Sequence, residues 1–485
     1  MSAPVAVPAP PGSPPPAGRA EPMARNAFFK AGSQATRLLS MGFLIVAARI
    51  LGPEGFGKFT VAYALATLLG AALDLGVPAI LTRRVARAPG AAAREWATAA
   101  VLKLAVLAPV GLVYALIPRL THRPWDTTLA VWLLGLAIAL QAFIELAVAV
   151  FAARQSLRYE LGVRLVEKAV LVVAGLGGLW VGGGLAAVCG AFVLAALVSL
   201  TVSVGVLHRS CARFARAWHP GRARALAREV GLVSAWFVVA FAATRLVPLV
   251  VAWLSGERAA GYLGAAVRVV DALQVLPVVV TAAVYPVLAR LVPTDPRFRE
   301  LARQTTALLV LAVLPAVLVL ALGAPPLVRL LFGPRFAPAA PLLAILGPAA
   351  GLDVLQFFLS ALLLALDRAG RLLGVAIGAL VVSLILTPVL VHAAGAAGGA
   401  LALAAVSVVG VVGSLVALAP LVGLPLGAGA MKALGAATAA AALAVLAASD
   451  HAWRVGVALG LYASLVLVLR PAPAGLARRL LRGAL

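Results

Sequence analysis

Charge is scarce in this chain of 485 residues, at 12%, and acid is scarcer still, with 16 Asp and Glu against 40 Lys and Arg. A soluble globular domain is about a quarter charged, so an ordinary water-facing surface is excluded. Cysteine occurs twice, as Cys189 and Cys211, which rules out a disulfide framework or a cysteine-rich zinc cluster. The five histidines (His122, His208, His219, His392, His451) show no HExxH or comparable metal spacing. A GxxxxGK[ST] run is missing, and with it a phosphate-cradling loop for ATP hydrolysis. No nucleophile is placed beside a base, and the links between apolar runs are short. The sequence therefore predicts no enzyme, no cofactor and no metal.

Apolar residues are what the chain has: 63% are hydrophobic and the mean hydropathy is +1.08. Lipid must be the solvent for most of that surface. Hydrocarbon admits only helices or closed barrels, and a barrel needs alternating polar and apolar residues. Here the runs are unbroken, and each helical crossing takes about 20 residues. The expectation is an all-α polytopic membrane protein of about 14 transmembrane helices. Residues 1–27 are rich in Pro and Ala and lack the apolar core of a signal peptide, so they are expected to form a disordered tail.

Lys and Arg positions give an orientation. With the amino terminus inside, cytoplasmic segments carry 29 of the 40 and the opposite side 8, leaving Lys103, Arg245 and Arg268 within helices. That asymmetry over short loops is the positive-inside pattern. It predicts that both termini lie on the cytoplasmic side. The preference for Arg over Lys and the abundance of Ala, Gly and Pro point to a GC-rich bacterial genome, so the membrane expected is a bacterial inner membrane. A net charge of +24 spread over many loops is not the single basic face that nucleic acid requires, so nucleic acid is excluded as a partner. The longest basic loop, residues 208–229, reads either as an orienting linker or as a contact for anionic lipid or a partner protein.

That linker divides the chain into matching blocks. The first link of one block reads LGPEGFGKF (51–59), and that of the other reads LSGERAAGYL (254–263). Each pairs an acid, Glu54 or Glu257, with a glycine before an aromatic. The expected organisation is an amino-terminal lobe over 28–207 and a carboxy-terminal lobe over 230–419. Each holds six helices, related as a parallel repeat. A helix pair over 420–470 and a basic tail over 471–485 complete the chain.

The run LIVAARILGPEGFGKFTVAYALATLLGAALDLGVPAILTRRVAR (44–87) resembles the opening of polysaccharide-biosynthesis flippases. These belong to the multidrug/oligosaccharidyl-lipid/polysaccharide exporter superfamily. GYLGAAVRVVDALQVLP (261–277) and LFGPRFAPAAPLLAILGP (331–348) resemble later segments of that family. The resemblance implies a flippase that moves a lipid-linked, polyprenyl-pyrophosphate oligosaccharide to the outer leaflet by alternating access. It also implies membrane lipids and glycan polymerases or glycosyltransferases as partners. An ion-coupled multidrug exporter of the same superfamily, or a non-transporting scaffold for glycan assembly, is the alternative.

A charge at the bilayer centre costs about 2.5–3.5 kcal/mol on insertion scales, so each one asks for a reason. Gln141 and Glu145 share one helix face, Arg268 and Asp271 are spaced to pair, and Asp353 and Gln356 repeat that spacing. Arg245 stands in the middle of WFVVAFAATRLVPLVVAW. Arg245, Arg268 and Arg37 are the candidate phosphate ligands that the resemblance suggests, since guanidinium binds phosphate oxygens in bidentate fashion. Asp271, Glu145, Gln141, Asp353 and Gln356 complete the candidate lumen. The plainer alternative is a structural Arg268–Asp271 pair, with Arg37 reaching the membrane surface.

Overall fold

The computed structural model describes residues 20–74, 76–120, 123–210, 231–292, 294–447 and 451–469. Cys211, most of the basic linker 208–229, the first 19 residues and the tail 471–485 lie outside them. Among the described residues there are helices and no strands. The helices are α1 (Ala20–Asp74), α2 (Val77–Arg87), α3 (Ala92–Leu120), α4 (Trp125–Ala153), α5 (Leu157–Trp180), α6 (Gly184–Ser210) and α7 (Leu232–Asp271). There follow α8 (Val275–Leu288), α9 (Pro296–Leu322), α10 (Ala324–Phe332), α11 (Ala339–Ala365), α12 (Ala369–Val422), α13 (Ala428–Ala447) and α14 (His451–Leu469). The first helix begins at Ala20, inside the segment expected to be a tail. Pro22 falls in its opening turn, where a missing N–H leaves no bond unmade.

Among the described residues, nine helices have the length and composition to cross a membrane, against an expectation of about 14. The difference has a physical source, because three of the nine are folded back on themselves. Phe43 and Phe59 both touch the Phe192 ring, at centroid separations of 6.3 and 5.9 Å. On a straight helix those two residues would stand about 24 Å apart. The turn is Gly52, at φ 69° and ψ 177°. Val247 and Leu263 likewise converge on Gly399, across a turn at Gly256 (φ 85°). Gly398 lies against the Leu390 carbonyl, across a turn at Gly395 (φ 55°). Only glycine enters this φ range freely, which is why each reversal carries one. Beyond the nine, α5 carries Glu160, Arg164, Glu167 and Lys168 within its length, and α14 is short.

Smaller elements obey local rules. Asp295 caps α9 by accepting from the Arg297 N–H at 2.8 Å, with Pro296 at the first helical position. Gly76 (φ 66°) turns the chain into α2, which buries Val77, Leu81 and Val85 on one face.

In the first half α1 packs against α4, α5 and α6, and in the second α7 packs against α11 and α12. The halves meet chiefly through α1 and α7. One apolar core crosses that junction, and separate cores fill each half. The helices α13 and α14 pack onto α9 through an alanine-rich face that includes Ala433, Ala437, Ala440 and Ala444. Small residues allow the close backbone approach that drives helix association in lipid.

Candidate functional site

The two links expected to be a repeat lie against each other. A Cβ on Gly57 would fall 1.7 Å from the Glu257 carbonyl oxygen, and one on Gly261 would fall 1.9 Å from that of Pro53. These contacts and the Gly52/Gly256 turns share one offset of 204 residues. In this register Pro53 matches Glu257 and Glu54 matches Arg258. Pairing Glu54 with Glu257, as the two sequences alone suggest, is therefore off by one residue. Ion pairs surround the crossing: Lys58 with Asp126 at 2.5 Å, Arg123 with Glu257 at 3.6 Å and Arg258 with Glu54 at 3.8 Å. Arg49 adds bonds to the carbonyl oxygens of Leu330 and Leu331 in the other half. This end of the bundle is closed.

Behind the closed end, a cavity of about 440 Å³ opens between the halves. The first limbs of α1 and α7 form facing walls, bearing Arg37 and Met41 on one and Phe241 and Arg245 on the other. At the offset of 204, Arg37 matches Phe241 and Met41 matches Arg245. The repeat thus presents the same two helix positions from both sides, with the cations at staggered heights. Arg268 and Asp271, at the end of α7, and Lys168 of α5 add charge to a lining that also includes Ser40, Tyr63 and Gln274.

Each cation is held differently. The Arg245 guanidinium lies 5.8 Å from the Phe241 ring centroid, and its Nε is buried with no hydrogen-bond partner among the described residues. Ser40 Oγ, in the same cavity, is equally unpartnered. Arg268 stacks on Tyr63 at 4.1 Å and reaches Asp271 at 3.5 Å, so the expected pair forms while both residues still line the cavity. Arg37 is exposed to the cavity.

The remaining candidates adjoin this space. Asp353 shares a smaller cavity with Arg245, Asp271, Thr244 and Ser407. Gln356 and Asp353 line the next one, where Gln356 Oε1 is also buried without a partner. Glu145 shares a third cavity with Arg37 and accepts from the Gln141 amide at 3.2 Å. All eight candidates therefore lie in or directly beside one connected polar tract. Sequence reasoning missed Arg164 and Lys168, which orientation counting assigned to a loop. Arg164 binds Glu145 at 2.5 Å, and Lys168 faces the central cavity. Their spacing of four with Glu160 and Glu167 interleaved was the available signal. Lys103, by contrast, is buried in an interhelical contact with Asp74 (3.7 Å) and the Ala142 carbonyl (3.0 Å).

Comparison with known proteins agrees with this architecture. The structure of the lipid II flippase MurJ, in its inward closed conformation, superposes with a TM-score of 0.69 at 11% identity, covering 91% of this chain and 99% of that one. An inward-facing multidrug resistance MATE family transporter of the MOP superfamily gives 0.62 at 16% identity, covering 80% and 95%. The Vibrio cholerae MATE transporter VcmN, in a mutant form, gives 0.56 at 17% identity, covering 83% and 97%. No curated protein sequence matches significantly. The fold is that of this exporter superfamily, built as a multi-pass helical membrane protein. Residues 23–292 match the family described as polysaccharide biosynthesis protein, and the chain belongs to that family.

Proposed function

We propose that the chain is a flippase carrying a polyprenyl-pyrophosphate-linked oligosaccharide from the cytoplasmic to the outer leaflet of a bacterial inner membrane. Both termini face the cytoplasm, and the product feeds cell-surface polysaccharide synthesis, with glycan polymerases or glycosyltransferases as partners. The observation that carries this is Arg245 Nε, a buried donor left without a partner in a cavity that also holds Arg37, Arg268 and Lys168. An unmet buried donor costs about 1–3 kcal/mol, more when charged, and a bound anion removes that penalty. Pyrophosphate supplies oxygens for several cations at once, and bidentate guanidinium contacts favour it over a monovalent headgroup.

Transport follows from two-sided closure. The Gly57–Gly261 crossing seals one end while headgroup enters from the other. Parting of the halves about α1 and α7 then exposes the cavity to the opposite leaflet. The driving force is an ion gradient or the membrane potential. A transporter role, rather than catalysis, accords with the family and its structural neighbours. Proteoliposomes carrying a labelled polyprenyl-diphosphate sugar test the proposal: wild type transfers label between leaflets and Arg245→Gln does not. Equal transfer by both proteins defeats it.

One observation favours a second function, that of an ion-coupled multidrug exporter. Asp353 lies in a cavity between α7, α11 and α12 and has no ion pair among the described residues. Such an exporter binds lipophilic cations, and its transport survives loss of Arg245.

A further inference from the structure

A cavity of about 280 Å³ adjoins the cationic one and shares Arg37 and Lys168 with it. Its other polar walls are Ser33 and Thr36 of α1, Glu145 of α4, and Glu160 and Arg164 of α5. Val148 is the one apolar residue in this lining. Ligand pockets are ordinarily apolar with a few polar groups, and this one inverts that balance.

Among the described residues its charges are paired locally. Glu145 accepts from Arg164 at 2.5 Å and from Gln141 at 3.2 Å. Just behind, Glu167 takes Arg164 at 3.4 Å and Lys168 at 2.6 Å. Carboxylates committed in this way are poor ligands for a free cation, and an added anion would meet them at close range. Hydrogen-bonding capacity remains nonetheless. Ser33 donates to Glu160 Oε1 at 3.1 Å and Thr36 donates to the Ser33 carbonyl at 2.8 Å, so both hydroxyl oxygens still accept. Ser33, Thr36 and Glu160 are only 5%, 4% and 2% exposed. The pocket has a buried inner wall, its charges nearly balance among the described residues, and it mixes donors with acceptors. The ligand that matches it is neutral and densely hydroxylated, because each hydroxyl both donates and accepts.

We infer that this pocket binds the first sugar of the headgroup, a neutral hexose ring, beside the cavity that holds the pyrophosphate. The inference rests on the flippase function proposed above. The anomeric oxygen of that sugar is bonded directly to phosphorus, so its subsite must share a wall with the phosphate site. Arg37 and Lys168 form that wall. A uronic acid in the same place would bring its carboxylate against Glu145 and Glu160 and is disfavoured.

Three probes decide the matter with full-length protein in nanodiscs: a short polyprenyl diphosphate, the same lipid carrying glucose, and the same lipid carrying glucuronic acid. The glucose lipid should bind at least about tenfold more tightly than the bare diphosphate, and the glucuronic acid lipid should show no such gain. Ser33→Ala and Glu160→Gln should remove the gain from glucose while leaving diphosphate affinity unchanged. Arg245→Gln should weaken all three probes alike. Retained diphosphate binding certifies that a variant is folded, and if Glu160→Gln loses it, Ser33→Ala decides alone. Equal affinity for diphosphate and glucose lipid, or a gain that survives Ser33→Ala, overturns the subsite and leaves the flippase function standing. Failure of wild type to bind the bare diphosphate overturns both.

Discussion

Gly57 and Gly261 face each other across a local twofold axis, each backbone occupying the space that a side chain on the other would need. Their Cβ positions fall within 2 Å of a carbonyl oxygen on the opposite link, at 1.7 and 1.9 Å. An isologous contact of this kind is self-complementary by symmetry, so a single residue type solves the packing problem twice. The closed end of the cavity therefore depends on two absent side chains.

Alanine at either position cannot be absorbed by rotamer changes, because the clashing atoms are backbone. The links must separate, at a cost in the usual overpacking range of about 1–3 kcal/mol. Spin labels replacing Glu54 and Arg258, which are exposed and paired across the crossing at 3.8 Å, report that separation. Gly57→Ala and Gly261→Ala should each lengthen the label distance, and transport should fall with it. An unchanged distance distribution in both variants would show that the crossing is not the seal.

Arg245 and Arg268 should differ in their response to lysine. Arg245 has a free, buried Nε, whereas Arg268 is already engaged by Tyr63 and Asp271. Lysine keeps the charge but loses the planar fork. Arg245→Lys should thus lose affinity for a polyprenyl diphosphate by roughly tenfold or more, the loss of one charged hydrogen bond. Arg268→Lys should lose less, because its stacking partner rather than a phosphate holds much of the guanidinium. Isothermal titration in nanodiscs measures both, and the reverse order contradicts this assignment.

Much of this was legible in the sequence, for identifiable reasons. Long apolar runs report helices in lipid, and buried charges stand out against them, so Arg37, Arg245, Arg268 and Asp271 could be named before any coordinates. Their convergence on one cavity could not, because it depends on where the Gly52 and Gly256 reversals return the chain. Within the repeat the glycines Gly57 and Gly261 match in the true register, whereas the acids mislead by one residue. Glu54 and Glu257 serve the same ion cluster from different positions, and only the backbone contacts reveal the true offset. Arg164 and Lys168 were hidden because the apolar run of α5 begins only after Lys168, so both read as part of the preceding link, where cations usually serve orientation.

Lys103 illustrates the opposite case, a buried charge with a structural role. It is 2% exposed and holds Asp74 at 3.7 Å and the Ala142 carbonyl at 3.0 Å. Lys103→Met should lower the thermal midpoint clearly, since removing one partner of a buried pair costs about 3–5 kcal/mol before discounting for the partly exposed Asp74. Adding Asp74→Leu should recover a large part of the loss, because the stranded carboxylate goes with its partner. A double variant no more stable than Lys103→Met would place the role of Lys103 elsewhere.

Asp353 separates energy coupling from cargo binding. It shares a cavity with Thr244 and Ser407 that adjoins the headgroup cavity through Arg245 and Asp271, while Asp353 itself is not in the lining of that larger cavity. A carboxylate in such a place forms no ion pair among the described residues to balance it, so a proton or a metal cation from solution is the natural counter-charge. Asp353→Asn removes that demand without changing the shape of the side chain. The variant should still bind a polyprenyl diphosphate with wild-type affinity and still equilibrate it between leaflets. It should no longer accelerate when a proton or sodium gradient is imposed across the proteoliposome. Loss of diphosphate binding instead would make Asp353 part of the headgroup site. An undiminished response to both gradients would leave the membrane potential, acting on the net charge of the loaded cavity, as the source of energy.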